Sequence, residues 1–486
     1  MEQNKVCLYI ENEYSYPDKS TDFRPDENYP EYLFKNEISS TNSVYRRVRE
    51  AFKYMGMDKN NFNKPSWNPM GEIVSPGDNV LIKPNMVMDV NTSGEGEECL
   101  YTHPSVVFAV VDYVLIALKG TGKIIIGDAP MQECNFNNLI EQSGYKSAIE
   151  FYRKKGVNIE IVDFRELKSE IVDGIHVQHI NEDSKGVVVD LKNDSEFNAY
   201  SREQLNRLRI TNYDPSILPM HHQPGKHEYY ISEYVLNADV IINMPKPKTH
   251  RKAGVTISLK NLVGTNTRKE YLPHHCIGSA LENGDEYADK NIFKKINTIL
   301  LDKINFYSFN NKITRARLLS FVRKVNALVL RMDKDKYSEG SWYGNTTISK
   351  TIIDINKIIL YCDKEGRICD EMQRKYFIVA DMIVSGEKEG PVIPSRKNVG
   401  MIAIGYDPVF FDKTVATVMG MDIKKIPTLR QAESTIGELK ITNSKTKKPF
   451  IVSNNNIWNE KDIADIRLEE SLMFEPTSGW KNHIEL

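Results

Sequence analysis

From residue 79 onward the chain alternates short unbroken apolar runs with longer stretches whose apolar residues recur at helical spacing. The runs are NVLI at 79–82, KIIIG at 123–127, NIEIV at 158–162 and ADVIINM at 238–244, followed much later by YFIVADMIV at 376–384 and VGMIAIG at 399–405. Between them, 105–118 and 136–154 have the apolar period of helices. Such alternation predicts βαβ units and an α/β fold with a mostly parallel sheet flanked by helices.

The pattern changes at both ends of this block. Residues 1–70 are rich in Tyr, Pro, Asn and Asp, with one helix expected at 42–54, and read as an irregular arm wrapped on the core. Residues 290–335 carry no strand pattern but do carry two amphipathic helix candidates. The expected organisation is an N-terminal arm (1–70), a first part of the α/β core (71–289), an inserted helical segment (290–340) and a second part of the core (341–486). In the second candidate helix, 312–332, apolar residues occupy one side and Arg317, Arg323, Lys324 and Arg331 the other, which makes packing on the core or on a second subunit of a homodimer, or peripheral membrane contact, the alternatives for it.

Bulk properties exclude several classes. With 486 residues, 40% hydrophobic, 27% charged, and 64 basic against 66 acidic side chains, the composition is that of a globular protein, and no nucleic-acid partner is expected. No run approaches the ~18 apolar residues of a membrane span. The first residues, interrupted by Glu2, Glu11 and Glu13, do not read as a secretory signal. Six cysteines without a C-x-x-C pair encode neither a zinc ribbon nor an iron–sulfur cluster, and free thiols fit a reducing, cytoplasmic setting.

The candidate chemistry lies where apolar runs stop. Four of them end at a proline with a charged side chain alongside: Lys83-Pro84-Asn85, Gly127-Asp128-Ala129-Pro130, Pro245-Lys246-Pro247-Lys248 and Gly405-Tyr406-Asp407-Pro408. Proline is also a good strand terminator. Open α/β sheets, however, bind ligands outside the carboxyl ends of their strands, and if all four strands are parallel these charges share one edge.

The strongest segment is KPKTHRKAGVTISLKNLVG at 246–264. Lys246 and Lys248 are two apart and project to one face of an extended chain. Gly254 is expected to open a helix whose free N–H groups favour an anion, with Thr256 and Lys260 on one face and Gly264 as its left-handed cap. The cluster, which includes His250, suits phosphate or carboxylate. It is not a P-loop, since G-x-x-x-x-G-K-[ST] is absent. His103, in Thr102-His103-Pro104, and the His274-His275 pair are further proton-transfer candidates. SWYGNTT at 341–347 could stack a sugar or base, and Glu387 and Glu389 of SGEKEGP could hold a cation or act as a base; loop packing is the competing reading of both.

The 246–264 segment closely resembles the signature of the family called domain of unknown function 362, roughly K-x-K-T-H-x-x-x-G-V-T-x-x-x-K-N-x-x-G. The similarity extends to Lys83-Pro84-Asn85, Thr102-His103-Pro104, Gly127-Asp128 and Asp407-Pro408-Val409 with Asp412. The arm and the SWYGN region resemble a longer subgroup associated with surface-polysaccharide biosynthesis. Many members of the family carry a ferredoxin-like cysteine module, which this sequence lacks.

Taken together, these features predict a cytoplasmic enzyme acting on a small anionic metabolite, phosphorylated, nucleotide-linked or carboxylate, with a non-catalytic anion-binding or scaffolding protein as the alternative. Lys83, Asn85, Lys246, Thr256, Lys260 and Asn261 are expected to bind substrate, and His250, Lys248 and His103 to carry the chemistry. Asp128 and Asp407 are the candidate ligands of a divalent cation such as Mg.

Overall fold

The computed structural model describes residues 2–17, 23–172, 175–211, 213–307, 317–318, 320–322, 324–325, 337–442 and 448–486. Its centre is a ten-stranded sheet. In chain order the strands are β1 (Lys5–Ile10), β2 (Asn79–Pro84), β3 (Lys123–Asp128), β4 (Ile159–Asp163), β5 (Val240–Met244), β6 (Lys248–His250), β7 (Gly254–Thr256), β8 (Lys375–Glu387), β9 (Ser395–Gly405) and β10 (Phe450–Ser453). Their spatial order is β10-β1-β9-β8-β5-β2-β3-β4, with the β6–β7 hairpin joined to the end of β8. Strands β4, β3, β2, β5 and β8 are mutually parallel, whereas β9 runs antiparallel to both β8 and β1. The fold is thus α/β with a mostly parallel sheet, as the apolar pattern predicts.

Both faces of the sheet are buried, which is why its strands read as continuous apolar runs. Val80, Ile82, Ile124, Ile126, Val240 and Ile242 face one core, shared with helices α1 (Ser43–Met55), α2 (Pro104–Leu118), α3 (Phe136–Ser143) and α4 (Tyr145–Lys154). Leu81, Ile125, Ile241, Ile378 and Ala403 face a second core, built with α7 (Thr347–Tyr361) and α8 (Pro408–Met419); the short α5 (Ser258–Asn261) and α6 (Ile292–Tyr307) precede these in the chain. The predicted helix 136–154 is two helices, because Gly144 turns at φ +93 between α3 and α4.

Three expectations need correcting. The arm is not wholly irregular: KVCLYI forms β1, inserted between β9 and β10, and Tyr16 reaches the centre of the sheet. Gly254 opens no helix. Its φ of +79 starts β7, which returns along β6, and a Cβ there would meet Ile484 and Trp480 at 2.8 and 3.1 Å. Gly264 is not a left-handed cap either; it is a point of close approach described below. Of the helical segment 290–340, α6 is described, whereas the basic helix expected at 312–332 lies for the most part outside the described residues. No helix among the described residues is long and apolar enough to cross a membrane.

Candidate functional site

Because β2, β3 and β5 are parallel, Lys83, Asp128 and Lys246 come to one edge of the sheet, and the β6–β7 hairpin folds over that edge. β9 is antiparallel, so Asp407 comes to the opposite edge. There it caps α8 by accepting from the N–H groups of Val409 (2.9 Å) and Phe410 (3.1 Å). Asp128 and Asp407 therefore cannot share a cation, and among the described residues no group of three His, Cys, Asp or Glu converges as a metal site.

At the shared edge the charges form two layers. The inner layer is fully buried and internally paired. Lys83 Nζ lies 2.8 Å from Asp128 Oδ1 and donates to the Pro84 carbonyl, while the other Asp128 oxygen accepts from Met86 N at 2.7 Å. Lys246 Nζ lies 2.8 Å from Asp381 Oδ2 and 2.6 Å from the Tyr16 hydroxyl, which itself donates to Asp381 Oδ1. Neither lysine is among the residues that line the cavity described below, so both act within the fold and their assignment to substrate binding is corrected. His103 is likewise structural. Its Nδ1 accepts from Ser105 N at 3.2 Å as the cap of α2, and its ring stacks on Tyr16 at 4.0 Å. Gly264 sits where a Cβ would come within 2.0 Å of Asp128 Oδ1 and 3.0 Å of Lys83 Nζ, so glycine is what lets this loop close over the ion pair.

The outer layer lines a cavity of about 180 Å³. Lys248, Lys252, Lys260 and Lys269 all border it, with His250, His274, Asn85, Thr256 and Asn261; Asp128 is the one acid among the described lining residues. Lys248 Nζ donates to Asn85 Oδ1 at 2.9 Å and to the Leu100 carbonyl. A relay of amides aims Asn85 for this: Asn85 donates to Asn261 (3.0 Å) and Asn261 to Asn243 (2.7 Å). Lys269 Nζ donates to the Ala129 carbonyl at 2.7 Å, and Lys252 to Thr211 and the Glu339 carbonyl. None of these three ammonium groups has a carboxylate in ion-pair contact, and Lys260 Nζ has no hydrogen-bond partner, among the described residues. The Thr256 hydroxyl, on a buried residue, is also without a hydrogen-bond partner among the described residues.

Burial weakens these ammonium groups more than nearby carboxylates, Asp128 for Lys248, Lys260 and Lys269 and Glu339 for Lys252, support them. It pulls Lys248 and Lys269 down to about 7, and Lys252 and Lys260 to about 8. Burial also drives His250 and His274 well below the usual imidazole range, aided by neighbouring lysines, so both are neutral. The expected backbone anion seat is filled internally. The Asp412 carboxyl accepts from Ser258 N (2.8 Å) and Leu259 N (3.1 Å) at the start of α5.

Of the expected site residues, Lys248, His250, Asn85, Thr256, Lys260, Asn261 and Asp128 come together; Lys83, Lys246 and His103, whose backbone N–H donates to Asp381, stand behind them, and Asp407 lies at the opposite edge. Lys252 and Lys269 were not singled out by sequence, although Lys252 lies inside the basic run, and His274 appeared only as one of a pair. Trp342 and Tyr343 are packed: Trp342 donates to the Asp285 carbonyl, and Tyr343 stacks on His483 at 3.7 Å. Glu387 and Glu389 accept from the backbone N–H groups of Glu475 and Ser478 and fasten the C-terminal segment.

A family described as Domain of unknown function (DUF362) matches residues 80–189 and 190–417, which include every residue of the cavity. Thylakoid-associated protein sll1697 of Synechocystis sp. is 28% identical over 195 residues, 40% of this chain and 41% of that protein. The chain thus matches well under half the length of this curated relative.

Proposed function

The chain belongs to the DUF362 family, and from that premise we propose that it is an enzyme that binds a small polyanion in the lysine-lined cavity. One observation carries this reading: among the described residues four ammonium groups border the cavity without a carboxylate in ion-pair contact, and one of them, Lys260, has no hydrogen-bond partner. Burying unpaired charge is costly, and a bound anion would repay it with charge-assisted hydrogen bonds. A volume of about 180 Å³ favours compact phosphorylated or carboxylate metabolites over nucleotide-linked sugars, since sites for larger ligands run to roughly 300–1,000 Å³. The test is a thermal-shift titration of the full chain with inorganic phosphate, pyrophosphate and citrate. Stabilisation that Lys260→Met abolishes supports the reading, and no stabilisation by any of the three removes it. Whether a ligand found in this way is also consumed separates the enzyme from a non-catalytic anion binder.

A second reading, peripheral membrane contact, draws on two observations: α6 exposes Ile292 and Phe293 (63% each) and Ile296, and the relative is a thylakoid-associated protein. Flotation with anionic liposomes tests it; absence of the protein from the vesicle fraction would end it.

A further inference from the structure

Two imidazoles border the cavity, and the backbone holds them in opposite tautomers. His250 Nδ1 accepts from the N–H groups of Lys252 at 3.0 Å and Ala253 at 3.1 Å, so the proton of the neutral ring sits on Nε2. His274 Nδ1 lies 2.8 Å from the Leu272 carbonyl oxygen, which can only accept; there the proton sits on Nδ1 and Nε2 keeps its lone pair. That Nε2 has no partner among the described residues. One ring therefore offers the cavity a fixed N–H and the other a fixed acceptor.

We propose that His274 is the proton acceptor of this site, and that its substrate is a small polyanion with an ionisable C–H or O–H beside the anionic group, such as a hydroxy- or oxo-carboxylate or its phosphorylated counterpart. This rests on the cavity's being a polyanion site. In the step, the substrate's proton passes to His274 Nε2, and the bonding electron pair stays on the substrate as an enolate or alkoxide. The imidazolium so formed retains its Nδ1–H on Leu272. The donors available to the developing oxyanion are His250 Nε2–H and the lysine ammonium groups, while Asp128, the one acid among the described lining residues, is held by Lys83. Lys252, Lys260 and Lys269 all press against protonation of His274 in the empty site. A bound polyanion offsets that field, so the ring becomes basic when substrate is present.

The test uses full-chain protein labelled with ¹⁵N at histidine, with His274→Gln and His250→Gln for assignment. Long-range imidazole spectra are expected to show His274 as the Nδ1–H tautomer and His250 as Nε2–H, and inorganic phosphate should raise the midpoint at which His274 titrates. Finding His274 protonated at Nε2, or both rings in one tautomer, overturns the assignment. Diethyl pyrocarbonate, which acylates an imidazole lone pair, needs no variant. It should modify His274 at least tenfold faster than His250, with protection by inorganic phosphate. Equal rates, or no protection by phosphate that calorimetry shows to be bound, also overturn it. If phosphate does not bind, the polyanion reading fails, while the tautomers still decide the proton acceptor.

Discussion

The lysines behind the cavity and the lysines that line it gather at the same edge of the sheet, yet they do opposite things. Lys83 and Lys246 are each 2.8 Å from a buried carboxylate and are bound into the sheet edge. Lys248 and Lys269 meet only neutral oxygens, and Lys260 meets none among the described residues. The first set neutralises charge within the fold; the second leaves positive charge directed at empty space. Lysine content alone does not identify an anion site. The identity of the group facing each ammonium does.

That contrast is most sharply broken by removing an inner lysine. Lys83→Met leaves Asp128 buried and unpaired, and should cost about 3–5 kcal/mol in urea unfolding. A loss below about 1 kcal/mol would show that the pair is not structural. Gly264→Ala should destabilise in the same direction, because its methyl group lands on Asp128. An outer lysine should behave otherwise. Lys260→Met should leave unfolding free energy within about 1 kcal/mol of wild type or raise it, while calorimetry shows affinity for inorganic phosphate falling about tenfold to hundredfold, the worth of one charge-assisted hydrogen bond.

The outer set also predicts a pH dependence whose sign follows from its weakened ammonium groups. Folded-state values of about 7 to 8 lie below the unfolded lysine value of roughly 10.4. Between them the unfolded chain binds more protons, so these groups make the empty protein more stable as pH rises from about 7 towards 10. Saturating phosphate should flatten that rise by holding the protons on the lysines. Melting temperatures across this range, with and without phosphate, measure both slopes; identical slopes would mean that the cavity lysines do not sense the anion. The smallest effect belongs to the opposite edge. Asp407→Ala should cost about 1 kcal/mol as a lost helix cap, with phosphate affinity unchanged.

The strands at 79–84, 123–128 and 240–244 were legible because burial on both faces writes an unbroken apolar run. β1 was not, because KVCLYI stands in a stretch dominated by polar and aromatic residues, and the four-residue β10 is too short to carry a period. Asp407 was misplaced for a different reason. An antiparallel central strand has the same apolar run as its parallel neighbours, so its direction, and hence the edge at which it ends, is not in the pattern. The inner and outer lysines could not be told apart either, since Lys83 and Lys246 find their carboxylates 45 and 135 residues away. The basic run at 246–264 did mark the location of the cavity, although its second half gave a strand and a short helix where one helix from Gly254 was expected.

Asp412, seated on the first N–H groups of α5, has one more consequence. It occupies those backbone N–H groups, and the cations that border the cavity are the ammonium groups of Lys248, Lys252, Lys260 and Lys269 together with Arg251. Ammonium groups act as point charges on flexible stems, and among the described lining residues Arg251 alone offers the planar fork of a guanidinium. A receptor dominated by such point charges ranks its guests by charge, so pyrophosphate should outcompete both sulfate and phosphate.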